Sequence, residues 1–258
     1  MLGWSMNLFR IRGIQLSIHA SFLLLLAYVA WEGWRDAAWT GAAWSIGCIL
    51  ALFICVTLHE LGHAFAAGRF GVKVPRIMLL PIGGMAEMES IPRRPREEII
   101  IALAGPAVNY VIIGLLMIFV RFPHGLNWNY IELSPAGFGR YLVLVNIMMG
   151  VFNLLPAFPM DGGRVFRAVL AMRFSYLRAT QVAVGVGKVV ALTGATYLIY
   201  KGNYLGGALF AFIIFAGERE LRSVVRREQI AAHWREMDAR FHQAAPASSE
   251  STIPPRLV

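Results

Sequence analysis

Apolar residues in this chain do not alternate with polar ones; they gather into long blocks separated by short charged connections. Six blocks stand out, at 16–31, 42–66, 98–120, 139–156, 180–200 and 203–217. Runs of this length exceed the single stripe that a soluble helix needs, and a helix crossing a bilayer takes about 20 apolar residues. The pattern predicts an all-α integral membrane protein with about six transmembrane helices. The last block is the shortest and is rich in glycine.

Between the second and third blocks the chain reads differently. VKVPRIMLLPIGGMAEME carries β-branched residues, two prolines and the pair Gly83-Gly84, which suits short strands joined by a turn. A small membrane-associated strand or hairpin segment is therefore expected between helices 2 and 3. At membrane depth its backbone must line protein or water. Beyond Gly217 the stretch GERELRSVVRREQIAAHWREMDARFHQ is charged and compatible with a helix, and AAPASSESTIPPRLV has a disordered composition. The expected division is a polytopic membrane domain at 1–217 and a basic helical and disordered cytosolic tail at 218–258.

Composition narrows the class further. Of 258 residues 57% are hydrophobic and 15% charged, too apolar for an ordinary soluble domain. A net charge of +9 would suit nucleic acid if it lay on one polar face, but the basic residues lie in connections between blocks. The lipid bilayer is the expected partner, and nucleic acid is not. The first block lacks a small-residue cleavage site and is followed by Glu32, Arg35 and Asp36, so it reads as a retained span. Cys48 and Cys55 sit seven residues apart in one block, too far for a local disulfide, and report nothing about redox compartment.

Lys and Arg number two before the first block, then one, six, two, four and one in successive connections, and seven after the last, with Arg140 counted beside its connection and Lys188 inside a block. Heavy and light connections alternate. The positive-inside rule then puts both termini and the second and fourth connections in the cytosol, which requires an even number of spans.

The chemistry begins in VTLHELGHAFAA. His59 and His63 stand at i and i+4, on one helical face, where two imidazoles can share a metal ion, and Glu60 lies beside the first. An apolar spanning helix carries ionisable groups only at a cost of several kcal/mol, so three together call for a metal, a cavity or partners. Catalytic zinc usually keeps three protein ligands and one open position. Asp161, in FNLLPAFPMDGGR, is the leading third ligand; its alternative reading is a cap on the helix that follows. By the charge count, both motifs fall near the cytosolic ends of spans running the same way, at similar depth. His19 reads as packing or as a neighbour of the site, while His124, His233 and His242 read as solvated surface. Asn109 reads as interhelical hydrogen-bond glue, and Lys188 has no assignment.

LHELGHAFAA followed about a hundred residues later by NLLPAFPMDGG resembles the site-2 protease family of intramembrane zinc metalloproteases. AGPAVN, ending at Asn109, and the Gly-Gly segment also fit. The resemblance implies a zinc metalloendopeptidase that hydrolyses peptide bonds in or near transmembrane segments of membrane-protein substrates. Carried over residue by residue, it implies one Zn2+ per chain on His59, His63 and Asp161, Glu60 as general base, and Asn153, Gly83 and Gly84 toward substrate. It further implies a multi-pass protein of a prokaryotic cell (inner) membrane, with room for a regulatory partner of unidentified kind; the chain departs from many members in its compact form, without space for a PDZ or C-terminal nucleotide-sensing domain. The alternatives from other classes are a membrane metal transporter or metal-binding sensor using the same ligands, and an inactive scaffold.

Overall fold

A computed structural model describes residues 4–81, 83–88, 94–122 and 131–244. In chain order the elements are β1 (Ser5–Ile11), β2 (Ile14–His19), α1 (Ala20–Arg69), β3 (Arg76–Leu80), β4 (Gly83–Glu87), α2 (Pro95–Met117), α3 (Pro135–Asn153), α4 (Asp161–Ala171), α5 (Tyr176–Tyr200) and α6 (Tyr204–Ala244). Helices α1, α2, α3 and α5 are long and apolar enough to cross a membrane.

Helix α1 holds the first two apolar blocks. Ala37 and Ala38 leave helical geometry, Ala38 with φ 50°, and beyond them the chain turns back. Phe22 and Phe53 prove the reversal, because their rings meet edge to face with centroids 4.5 Å apart. On a straight helix the 31 residue steps from one to the other would span roughly 46 Å. Trp31, Trp34 and Trp39 are exposed around the break, where amphipathic rings suit a membrane boundary. The third, fourth and fifth blocks become α2, α3 and α5, and the sixth lies in the first part of α6, which runs unbroken through Gly217 into the charged stretch.

Packing follows membrane rather than aqueous logic. Val111, Val189 and Leu192 face outward, while Ala102, Ala179, Ala183 and Ala191 are fully buried. Without a hydrophobic drive between helices in lipid, small residues that allow close backbone approach hold such bundles.

The strand segment expected before α2 is present as β3 and β4, antiparallel with Met78 opposite Met85. It is half of a larger element. The sheet has four strands in the order β1-β2-β3-β4, with β2 parallel to β3 and β1 antiparallel to β2. The fold is thus mainly helical with a small sheet, and the expectation of helix from residue 16 is corrected. Ile14–His19 is strand, and helix begins only after His19, whose ring accepts a hydrogen bond from the Ser21 amide as the α1 cap. Apolar content alone did not distinguish a buried strand from the start of a span. The sheet rests on α1 through a core that includes Leu16, Phe53, Val56, Leu61, Ile77 and Leu79.

Behind α4, the fully buried Arg167 bonds Glu98 of α2 and Glu220 of α6. Its guanidinium also lies over the rings of Phe158 and Tyr176, at 4.8 and 4.9 Å. Lys188 pairs with Glu218 at 2.6 Å, tying α5 to α6. His233 is exposed, as expected, whereas His124 and the disordered-composition tail from 245 onward fall outside the described residues.

Candidate metal centre

The second arm of α1 delivers His59 and His63 on adjacent turns of one face, with their rings edge to face and centroids 4.7 Å apart. Asp161 comes from the other side. After α3 ends, Leu154–Met160 forms a succession of turns, and Asp161 opens α4. Gly162 lies so close to the Leu154 and Leu155 carbonyls that a Cβ there would overlap backbone. The Gly-Gly pair thus lets α4 start hard against the preceding turn and sets Asp161 facing α1.

The three side chains form a compact, buried triangle. Nε2 of His63 is 3.1 Å from Nε2 of His59 and 3.1 Å from Oδ2 of Asp161, and Nε2 of His59 is 3.3 Å from the same oxygen. A tetrahedral zinc with bonds of about 2.0–2.2 Å separates its ligands by roughly 3.3–3.5 Å. The donor set suits zinc, and its donors stand within about half an ångström of the separations that the ion requires. All three residues are buried, so their polar atoms face one another rather than water.

The other ring nitrogens are held as well. His59 Nδ1 lies 2.6 Å from Asn109 Oδ1, and His63 Nδ1 lies 2.7 Å from the Ile101 carbonyl. Both partners belong to α2, which crosses directly over the site. Gly105 of the same helix faces the donors, and a Cβ on it would overlap His63 Nε2 and stand 2.8 Å from His59 Nε2. Glycine is the only residue that leaves that volume open.

Glu60, on the next face of α1, packs against β4. A Cβ at Gly84 would stand 2.5 Å from Glu60 Cγ, so the strand reaches the glutamate only because position 84 has no side chain. Gly83, with φ +135°, makes the turn into that strand. Asn153 closes α3, half-buried, at the head of the turns that lead to Asp161. Four further contributors were not picked out as site residues from the sequence: Gly105, the Ile101 carbonyl, Asn146 and the direct hold of Asn109 on His59. The available signal was AGPAVN, an unusual Gly-Pro inside an apolar helix with an amide one turn on.

This is a helical membrane protein with a buried His-His-Asp centre roofed by a glycine-bearing helix. Residues 47–127 and 127–194 match the model of peptidase family M50, and the chain belongs to that family. A zinc metalloprotease of Methanocaldococcus jannaschii is 38% identical over 223 residues, covering 86% of this chain and 62% of the relative. Stage IV sporulation protein FB of Bacillus subtilis is 31% identical over 134 residues, 51% of this chain and 43% of the relative. The chain thus spans less than two thirds of the length of these curated relatives. Among solved structures, a site-2 protease from Methanocaldococcus jannaschii superposes with a TM-score of 0.61 at 35% identity, covering 84% of this chain and 95% of that one.

Proposed function

We propose that this chain is a zinc-dependent intramembrane endopeptidase that cuts membrane-protein substrates within or beside their transmembrane segments. The carrying observation is the buried triangle of His59, His63 and Asp161 with donors 3.1–3.3 Å apart. One zinc per chain would be held by these residues, acidifying a water molecule and polarising the scissile carbonyl.

Glu60 accepts the proton of the attacking water and delivers it to the nitrogen of the departing amine, so that one C–O bond forms as the C–N bond breaks. A transmembrane helix hides its carbonyls in its own i to i+4 bonds, and lipid offers no replacement for them. The substrate must therefore unwind locally. Strand β4 offers an alternative partner, because it is an edge strand with β3 on one side and no second neighbour among the described residues. An extended substrate segment pairing with that edge would pass beside Glu60, which touches β4 at Gly84. Asn153, the last residue of α3, is assigned to a substrate carbonyl on the family resemblance.

The arrangement in the bilayer is six spans, counting two arms of α1, then α2, α3, α5 and the apolar start of α6, with both termini cytosolic. The charge alternation supports this reading, as does the reversal of α1 at Ala38. The cell membrane of a prokaryote is the proposed location. A metal transporter or sensor would use the same three ligands but has no role for a carboxylate beside the first of them.

Glu60→Gln tests the assignment. It retains size and most hydrogen bonding but cannot take a proton, so zinc content should match wild type while cleavage of a transmembrane substrate falls by about 10²–10⁴-fold. His59→Ala, His63→Ala and Asp161→Ala should instead lose zinc. Cleavage by a zinc-loaded Glu60→Gln protein would refute the proposed base.

A further inference from the structure

Two amides and a thiol form a line behind the metal centre, beyond the contact of Asn109 with His59. Asn109 Oδ1 meets His59 Nδ1 at 2.6 Å, Asn109 Nδ2 donates to Asn146 Oδ1 at 2.8 Å, and Asn146 Nδ2 donates to the Leu142 carbonyl at 2.8 Å and toward Cys55 Sγ at 3.2 Å. Asn109 and Asn146 have no exposed surface, and Cys55 is buried one turn before His59. The line therefore runs from α3 through α2 to α1 without solvent contact.

Its polarity is dictated from one end. The oxygen and nitrogen of an amide are interchangeable in shape, so Asn orientation must be deduced from partners. The Leu142 carbonyl can only accept. Asn146 must then turn its NH2 toward Leu142, which leaves its oxygen facing Asn109. Asn109 must answer with its own NH2, which leaves its oxygen facing His59. His59 must supply a proton on Nδ1, and a neutral imidazole protonated there has its lone pair on Nε2, the atom that faces His63 and Asp161. His63 reaches the same state in a single step, because its Nδ1 meets the Ile101 carbonyl directly.

We infer that Asn146, though it touches no metal-binding side chain, is a positioning residue that fixes the metal-binding tautomer of His59 through Asn109. This rests on the zinc reading above. Side-chain relays of this kind typically change metal affinity by about 10–100-fold when broken. Leu at 146 has similar volume but neither donor nor acceptor, so Asn109 becomes free to rotate and can offer NH2 to His59 Nδ1, stabilising the wrong tautomer. Asp at 146 behaves differently. Whether ionised or neutral it retains an acceptor for Asn109 Nδ2, so it preserves the orientation of Asn109.

The test uses the full-length zinc-loaded protein in detergent, with zinc loss to a chelator followed over time and thermal stability measured in parallel. Asn146→Leu should release zinc about 10–100-fold more readily than wild type, Asn146→Asp should stay near wild type, and Asn109→Leu with Asn146→Leu should be no worse than Asn109→Leu alone. A purely structural role for Asn146 would lower thermal stability in both variants and add to the Asn109 effect. Equal zinc retention in wild type and Asn146→Leu would overturn the inference, as would additive losses in the double variant. If Asn146→Leu does not fold, loss of zinc from a folded Asn146→Asp protein overturns it and retention supports it. A wild-type protein that takes up no zinc would refute the metal assignment, and the relay with it, and is distinct from all of these outcomes.

Discussion

Gly105 of α2 and His63 of α1 approach so closely that a methyl group on the glycine would overlap the Nε2 atom of the histidine. The volume that a Cβ would fill is bordered by the Nε2 atoms of both His63 and His59. Gly105→Ala is therefore expected to abolish zinc uptake. Alanine favours helix over glycine by about 1 kcal/mol, so weakened helix formation would not account for the loss. Metal analysis of the purified variant checks this, and full zinc occupancy would place the metal elsewhere.

Arg167 supports the site from behind. It is fully buried with Glu98, which is also fully buried, and reaches Glu220 at 2.6 Å. Removing one member of a buried ion pair strands the other charge, at a cost of about 3–5 kcal/mol, whereas replacing both by apolar groups is far milder. Arg167→Met should markedly lower the unfolding temperature in detergent. Adding Glu98→Leu should restore a large part of the loss. If the double variant is less stable than Arg167→Met, the pair is not the dominant interaction there.

The grouping of His59, His63 and Asp161, which the fold brings together, was legible in the sequence because its chemistry is written locally. HELGH sets its own geometry on any helix, and the Pro and Gly residues around Asp161 announce a break from which a carboxylate can turn toward another element. The strands β3 and β4 were legible for a similar reason, as Gly83-Gly84 marks the turn. By contrast β1 and β2 were hidden, because LSIH continues directly into the apolar helix and its parallel pairing with β3 joins residues 61 positions apart. Gly105 and Asn146 were hidden more deeply. Their roles depend on which helix crosses which, and one sequence records no helix crossing. Glu98 and Arg167 had no assigned role in the sequence, yet the fold places both out of water.

The proposed orientation rests on the uneven distribution of basic residues, with six in the second connection and seven after the last block against one or two in the first and third. Reporter domains fused after Gly71 and at Val258 should read cytosolic, and one inserted after Asn127 should read external. An external reading at Val258 would mean an odd number of spans.

The edge of β4 offers the most direct test of substrate engagement. In an antiparallel pair, successive residues direct their N–H and C=O groups alternately toward the neighbour and away from it. Of Met85 and Ala86, one therefore bonds β3 and the other presents its backbone to the open edge. Proline removes a single donor without adding charge, so Met85→Pro and Ala86→Pro separate the two roles. The variant at the inward position should lose sheet stability. The variant at the outward position should keep its fold and its zinc, while cleavage of a transmembrane substrate falls, because the extended segment loses a main-chain partner beside Glu60. Substrate already unwound by helix-breaking residues should still depend on that partner, since pairing holds the extended segment rather than creating it. Unchanged cleavage in both variants, with zinc verified, would show that substrate does not pair with this strand.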